Sequence, residues 1–392
     1  MAAKVTINLN RLDHLMTLFR MSKGELLHII GGKLVRGINE KDIFGGEIKL
    51  SDLKKIDKIF DKGLSYYIDP SDPIKSREES IFFRKDDFNA ALNLGARQIV
   101  NRFEEEKIAF STLTKLADIE FTRTIPFFKI TDNPKKVAND LRERLYPVFT
   151  TDKREFLKLF IEKLSENNIL VFEFVENHNK IQRANINGFY LEPDVIVLKR
   201  NQKSLSREIF TLAHELAHYL LNEEEIDNNI DFEKLDFGNL SVIERWCNDF
   251  AYFFLAGRYD NDFVTIPYAN ASNDYQHEKV GFLSSRTHLS SLALYTRMLL
   301  SHMISPADYA QVRDDIYAQI SQREAAEKIL LEKQKQKALD EGRVLIIPGP
   351  KPIISPLYSN TMQVALNAGL ISEAEFCKKL NINPLKIDNY LL

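Results

Sequence analysis

Apolar residues recur at Ile209, Ala213, Leu216 and Leu220, the i, i+4, i+7, i+11 spacing of one helix face turned toward a core. A second stripe, Ile243, Trp246, Phe250 and Phe253, predicts another helix over Val242–Leu255. Upstream, the helical period gives way to short apolar runs. Ile169–Val175, Ile186–Leu191 and Val195–Leu198 predict strands, the last two joined by a hairpin turn at Glu192-Pro193-Asp194. Helices are predicted before them over Lys136–Leu145 and Lys153–Asn167. This pattern gives an α+β, mainly helical chain with a small antiparallel sheet leading into two core helices.

The flanks are helical. Leu12, Leu15, Met16, Leu18 and Phe19 predict one N-terminal helix, Ser22-Lys23-Gly24-Glu25 is a capping-box start for a second, and Ser51-Asp52 opens a third. Gly31-Gly32 and Gly45-Gly46 punctuate them. Pro70, Pro73 and Lys75–Glu79 read as a linker. Residues 85–120, with Phe88, Leu92 and Ile99, read as helices that brace the N-terminal module against the central domain. Asp260–Lys279 reads as a polar loop of lid length. Beyond Ser305-Pro306 a helical segment runs into Gln322–Arg343. The prolines at 348, 350, 352 and 356 then force an extended connection, and Ser372-Glu373-Ala374-Glu375 caps a last helix. The implied domains are 1–75, a connector 76–132, a central domain 133–310 and a C-terminal extension 311–392.

Charge narrows the function classes. The 392 residues carry a net charge of −3, so no global field recruits nucleic acid or membrane. Residues 1–66 hold twelve Lys/Arg against eight Asp/Glu, a mild local excess. A DNA reader needs a recognition helix with base and phosphate contacts, and none is evident between Gly32 and Gly46. Two cysteines, Cys247 and Cys377, are too few for a disulfide framework. No apolar run reaches membrane-span length, and Met1–Asn10 lacks a signal-peptide core. The chain reads as cytoplasmic.

The chemistry lies in the first core helix. His214-Glu215-Leu216-Ala217-His218 is an H-E-x-x-H sequence. Histidines at i and i+4 share a helix face and can hold one metal ion, with the glutamate as general base. A catalytic zinc takes three protein ligands and keeps one position open. Glu244, on the second helix, is the candidate third ligand. Asn248, four residues on, would orient a ligand by hydrogen bonding. Zinc suits this set, with manganese or iron as alternatives. Cys247 reads as a small buried residue. Arg286, His288, Tyr295 and Arg297 are candidate donors to a developing oxyanion.

The run Arg207-Glu208-Ile209-Phe210-Thr211-Leu212-Ala213-His214-Glu215-Leu216-Ala217-His218, followed by Glu244-Arg245-Trp246-Cys247-Asn248-Asp249-Phe250-Ala251, resembles the ImmA/IrrE family of bacterial metallopeptidases. The resemblance covers about residues 135–310. It implies a zincin-like fold, zinc on His214, His218 and Glu244, and Glu215 as the base. Leu255-Ala256-Gly257-Arg258 departs from the Leu-Met-Pro segment that often continues the second helix in the family. Residues 289–297 resemble the family's next helix, with Arg297 as a brace. The N-terminal helices resemble a degenerate Xre-type helix-turn-helix. By this resemblance the substrate is a DNA-binding repressor or antitoxin, cut in a toxin–antitoxin or phage-related switch, with DNA binding through residues 1–75 as a further expectation. Two other classes stay open. One is a DNA-binding regulator that uses the zincin fold as sensor or scaffold. The other is a binding toxin whose metal is structural.

Overall fold

A computed structural model of the chain describes residues 3–32, 38–73, 92–176, 183–200, 204–224, 241–345 and 350–389. The linker residues 75–79, Phe88 and Pro348 lie outside them. The chain divides into two compact units, Met1–Ala109 with Asn179–Asn185, and Phe110–His178 with Ile186–Leu392. The division falls inside the segment read as a connector.

The first unit begins with β1 (Lys4–Thr6), α1 (Leu9–Leu18) and α2 (Lys23–Gly31). It continues through α3 (Glu40–Phe44), β2 (Glu47–Lys49), α4 (Leu50–Phe60) and α5 (Leu64–Ile68). Asn8 caps α1, and Ser22 accepts from Glu25 N at the start of α2. Leu12, Leu15, Leu26, Leu53, Ile56 and Tyr67 fill its core. Two features differ from expectation. β1 and β2 form an antiparallel pair that three-residue runs are too short to announce. The fourth helix starts at Leu50, ahead of Ser51-Asp52, with Lys49 as its uncapped first boundary. Between Gly32 and Gly46 the described helix is only five residues long, and its first turn carries Glu40 and Asp42, the wrong sign for a phosphate contact. The long helix α6 (Leu94–Leu116) comes next along the chain.

In the second unit, α7 (Pro134–Leu145) and α8 (Lys153–Ser165) are capped by Asn133 and Asp152. They precede β3 (Leu170–Val175), β4 (Gly188–Leu191) and β5 (Val195–Arg200). The β4–β5 hairpin is antiparallel as expected. β3 corrects the all-antiparallel expectation. The sheet order is β3-β5-β4, and β3 runs parallel to β5. After β3 the chain crosses to the far edge, so β5 returns in β3's direction. A spacing pattern predicts strands but not which neighbour each one takes.

Two core helices succeed the sheet, α9 (Leu205–Leu221) and α10 (Val242–Ala256). Ser204 caps α9 by accepting from Arg207 N, and Asn222 ends it in a left-handed conformation at φ 55°. α9 packs between the β4–β5 hairpin and α10, and from Glu208 to Leu220 every residue is buried. Each fully buried Leu, Ile or Phe there contributes about 1.5–3 kcal/mol. Arg123 ties the last turn of α9, donating to the Tyr219 carbonyl at 2.6 Å with its guanidinium 3.7 Å above the Tyr219 ring.

Asp260–Lys279 is not an open loop. It forms α11 (Tyr259–Val264), a 3₁₀ turn (Ala271–Gln276) and the start of α12 (His277–Thr287). Buried Asp260, held by Lys135 at 2.6 Å and Tyr252 at 3.0 Å, pins it. Its polar composition hid these anchors. α13 (Ser291–Leu300) and the 35-residue α14 (Pro306–Asp340) come next, then α15 (Pro356–Asn367) and α16 (Glu373–Leu380), the last with the predicted Ser372–Glu375 capping box.

The C-terminal segment also closes one sheet edge. Ile354 bridges antiparallel to Phe172 on β3. Beside it, buried Glu173 takes two bonds from Arg154, at 2.8 and 3.0 Å, and one from Ile353 N. Among the described residues β4 is the opposite edge of the sheet, against α9. No helix among the described residues is long and apolar enough to cross a membrane.

Candidate metal centre

α9 and α10 pack face to face and bring His214, His218 and Glu244 together, all buried. The two histidines are one turn apart on α9. Glu244 sits in the first turn of α10, whose start is fixed by Ser241 accepting from Glu244 N at 3.0 Å. His214 Nε2 and His218 Nε2 are 3.1 Å apart. Each lies 3.2 Å from a different oxygen of Glu244.

The outer ring nitrogens decide what the inner ones can do. His218 Nδ1 is 3.1 Å from the carbonyl oxygen of Glu223, which can only accept, so Nδ1 carries a proton. His214 Nδ1 is 3.1 Å from Asn248 Oδ1. Both Nε2 atoms therefore face inward toward a carboxylate whose oxygens, buried, have no other polar partner among the described residues. Two imidazole nitrogens and a carboxylate turned on one point demand a cation. In the bare protein a proton answers that demand. Burial pushes the Glu244 carboxyl up, but the two imidazoles override it and hold it well below the usual carboxylate range. For His218 burial acts downward, yet Cys247 and Glu244 beside it raise it well above the ordinary imidazole range.

A metal ion fits the same residues. Nitrogen and carboxylate donors about 2.0–2.2 Å from a tetrahedral ion lie roughly 3.3–3.5 Å from one another; here the two Nε2 atoms are 3.1 Å apart and each is 3.2 Å from one oxygen of the Glu244 carboxylate. Asn248 and Glu223 supply the outer hydrogen bonds that fix ligand orientation. Burial pushes the Cys247 thiol up to about 11, so it stays neutral beside His218 and outside the donor set.

Glu215 is buried one residue after His214, turned about 100° round the helix toward β4. A Cβ on Gly188 would stand 3.1 Å from Glu215 Cγ and Oε1 and 2.7 Å from Thr211 Cγ2. The bare strand backbone is what makes room for the Glu215 carboxylate. Sequence reasoning missed Gly188. Its signal was a glycine opening a strand ahead of the motif, a sign of close approach by another element.

The four oxyanion candidates are engaged elsewhere, and none contacts the His214–His218–Glu244 group. His288 is a core residue, 2.8 Å from the Thr150 carbonyl and stacked on Phe149 at 4.8 Å, with burial lowering its pKa. Tyr295 meets His277 Nδ1 at 2.7 Å and the Tyr275 carbonyl at 3.0 Å. Arg297 pairs with Asp249 and covers the Tyr252 ring at 4.5 Å, clamping α13 to α10 as a brace. Arg286 lies over Phe282 on α12.

Beside Asn248, a cavity of about 320 Å³ opens between α10 and α13. Phe210, Leu289, Ala293 and Leu300 give it an apolar wall, and the Phe210 ring also packs against His214, with centroids 6.4 Å apart.

Residues 162–260 match the family model of the IrrE N-terminal-like domain, a metallopeptidase family. The match spans β3 to β5, both core helices and the His214, His218 and Glu244 donors. It does not reach residues 1–109. No curated protein matches the chain.

Proposed function

With an ImmA/IrrE-type metallopeptidase domain over residues 162–260 as the premise, we propose that the protein is a zinc-dependent endopeptidase that cleaves a protein partner. The observation that carries this reading is the convergence of two buried imidazole nitrogens, 3.1 Å apart, on one buried carboxylate that sets an oxygen 3.2 Å from each, with the buried Glu215 one residue after His214. His214, His218 and Glu244 would hold the ion. When bound, zinc supplies a Lewis acid that polarises the scissile carbonyl and makes water acidic enough to react near neutral pH.

The chain's own residues do the rest. Glu215 takes the proton of the attacking water and hands it to the leaving amine. Gly188 holds the β4 backbone close to that carboxylate. Asn248 and the Glu223 carbonyl keep both imidazoles in the tautomer that presents Nε2. As the sheet edge beside α9, β4 offers an extended substrate segment a strand to pair with. The apolar cavity beside Asn248 is sized to take a substrate side chain. Arg and His donors to the oxyanion are not needed in this scheme.

For the partner we propose a DNA-binding regulator of the Xre type or an antitoxin, in a toxin–antitoxin or phage-related switch. This rests on the family alone. The test compares new protein N-termini in bacteria expressing wild type or Glu215→Gln. Glu215→Gln should keep its metal and lose turnover by a factor of about 10²–10⁴, so new termini in one or a few regulators should appear with wild type only. Equal sets of termini, from two proteins with equal metal content, would overturn the peptidase assignment.

A further inference from the structure

Three arginines converge on one cleft without an acid bonded to any of them. Arg142 on α7, Arg258 after α10 and Arg286 on α12 line a cleft of about 400 Å³ together with Tyr146, Phe149 and Tyr259. Among the described residues none of the three guanidiniums forms an ion pair. Arg142 donates to the Phe254 and Leu255 carbonyls at the end of α10 and lies 3.6 Å above the Tyr146 ring. Arg258 reaches the Tyr259 hydroxyl at 3.3 Å. Arg286 has a ring contact with Phe282 at 5.6 Å. Arg258 and Arg286 are exposed, with donors left over.

The fold goes to some length to keep Arg142 there. Gly257, at φ 52°, ends α10, and a Cβ on it would stand 2.4 Å from Arg142 Cζ. Like charges gathered round one cleft repel, and burial with the neighbouring Arg258 depresses the Arg142 pKa. Such a cluster is stabilised by an anion that several guanidiniums can grip at once. The rest of the wall is aromatic and favours a flat ring. The cleft's volume falls in the range of small-molecule sites, roughly 300–1,000 Å³. It lies about 13 residues along α10 from Glu244, roughly 20 Å at helical rise, so it is separate from the metal centre.

We propose that this cleft binds a nucleotide, with phosphate on Arg258, Arg286 and the open side of Arg142, and the base against Tyr259 and Phe149. The phosphate and ring can come from a free nucleotide or from the end of a nucleic-acid strand.

The experiment is calorimetric titration of the full chain at low salt with ATP, AMP, adenosine and inorganic phosphate. ATP and AMP should bind at least tenfold tighter than adenosine or phosphate alone. Arg258→Glu and Arg286→Glu should each weaken ATP at least tenfold with an unchanged thermal midpoint. Arg142 is left intact because it also caps α10. Binding of adenosine as tight as AMP, or ATP affinity untouched by both charge reversals, would overturn the site. Phosphate binding as tight as AMP would overturn the nucleotide class. No binding by any probe would also overturn it. A 5′-phosphorylated oligonucleotide that competes with ATP extends the site to strand ends; failure to compete restricts it to free nucleotides.

Discussion

Asn248→Ala isolates one outer hydrogen bond of the candidate metal centre. In the wild type, Asn248 Oδ1 is 3.1 Å from His214 Nδ1 and holds the ring so that Nε2 faces Glu244. His218 has no such dependence on a side chain, because its Nδ1 is held by the Glu223 backbone carbonyl. The substitution therefore loosens one ligand of three and leaves the other two in place. Losing an outer-sphere partner of a metal-bound histidine typically weakens affinity about 10–100-fold, which is about 1.4–2.7 kcal/mol. A hydrogen bond to a group that becomes charge-polarised is worth about 1.5–3 kcal/mol, so the two magnitudes agree. Zinc affinity, measured by competition with a chromophoric chelator, should fall by that factor. Asn248→Asp keeps an acceptor and should restore the affinity to within a few-fold of wild type. If Asn248→Ala kept wild-type zinc affinity, or if Asp failed where Asn worked, the tautomer argument would fail.

The same geometry has other consequences. Gly188→Ala should overpack the gap to Thr211 and Glu215, costing about 1–3 kcal/mol in urea unfolding and about 10²-fold in turnover through displacement of Glu215, with zinc content unchanged; wild-type turnover would refute the close-approach role. Zinc binding near pH 7.5 should release about one proton, because the ion replaces the proton that the Glu244 carboxylate holds on His218 against its burial; titrations in buffers of different ionisation enthalpy read this directly, and a count near zero would contradict it. Cys247→Ala should leave zinc affinity within a few-fold, since the thiol is neutral and outside the donor set. Because burial raises the Cys247 thiol from 9.0 to about 11, its contribution is fully present below the unfolded value and is lost as pH rises through the folded one. The metal-free wild type should then lose roughly 2 kcal/mol more than Cys247→Ala between pH 8 and pH 11, and parallel stability curves would refute it.

The residues that could be read from the chain are those whose role is set by helical spacing. His214 and His218 at i, i+4, and Glu244 and Asn248 on the next helix, need only a period and a partner helix, and the structure brings all four together. Glu215 is legible from its place between the histidines. Other roles depend on pairings that no local window contains. The parallel β3–β5 register places Leu170 beside Val195, and the capping of β3 by Ile354 joins residues 182 positions apart. The course of 260–279 is not legible from composition, which reports exposure on average, while two contacts of the buried Asp260 carboxylate, to Lys135 and Tyr252, fix its path.

Gly188 and Glu223 mark a different kind of limit. Glu223 acts through a backbone carbonyl, which every residue has, so its identity carries no signal. What places that carbonyl is the left-handed turn at Asn222, just after α9 ends. Gly188 acts by lacking a side chain, and a glycine in a strand can equally serve a bulge or a turn. Both matter because α9 is buried from Glu208 to Leu220: its functional groups are oriented by the elements packed on it, and those act through backbone and missing atoms as well as through side chains such as Asn248. The candidate donors Arg286 and His288 are engaged away from the His214–His218–Glu244 group. They sit on α12 and its exit, where Phe282, Phe149 and Phe156 take up their rings and charge. A polar side chain in sequence proximity to a site is therefore weak evidence of a role there. A residue on a helix that packs face to face with the motif helix is strong evidence, because packing fixes both its distance and its direction.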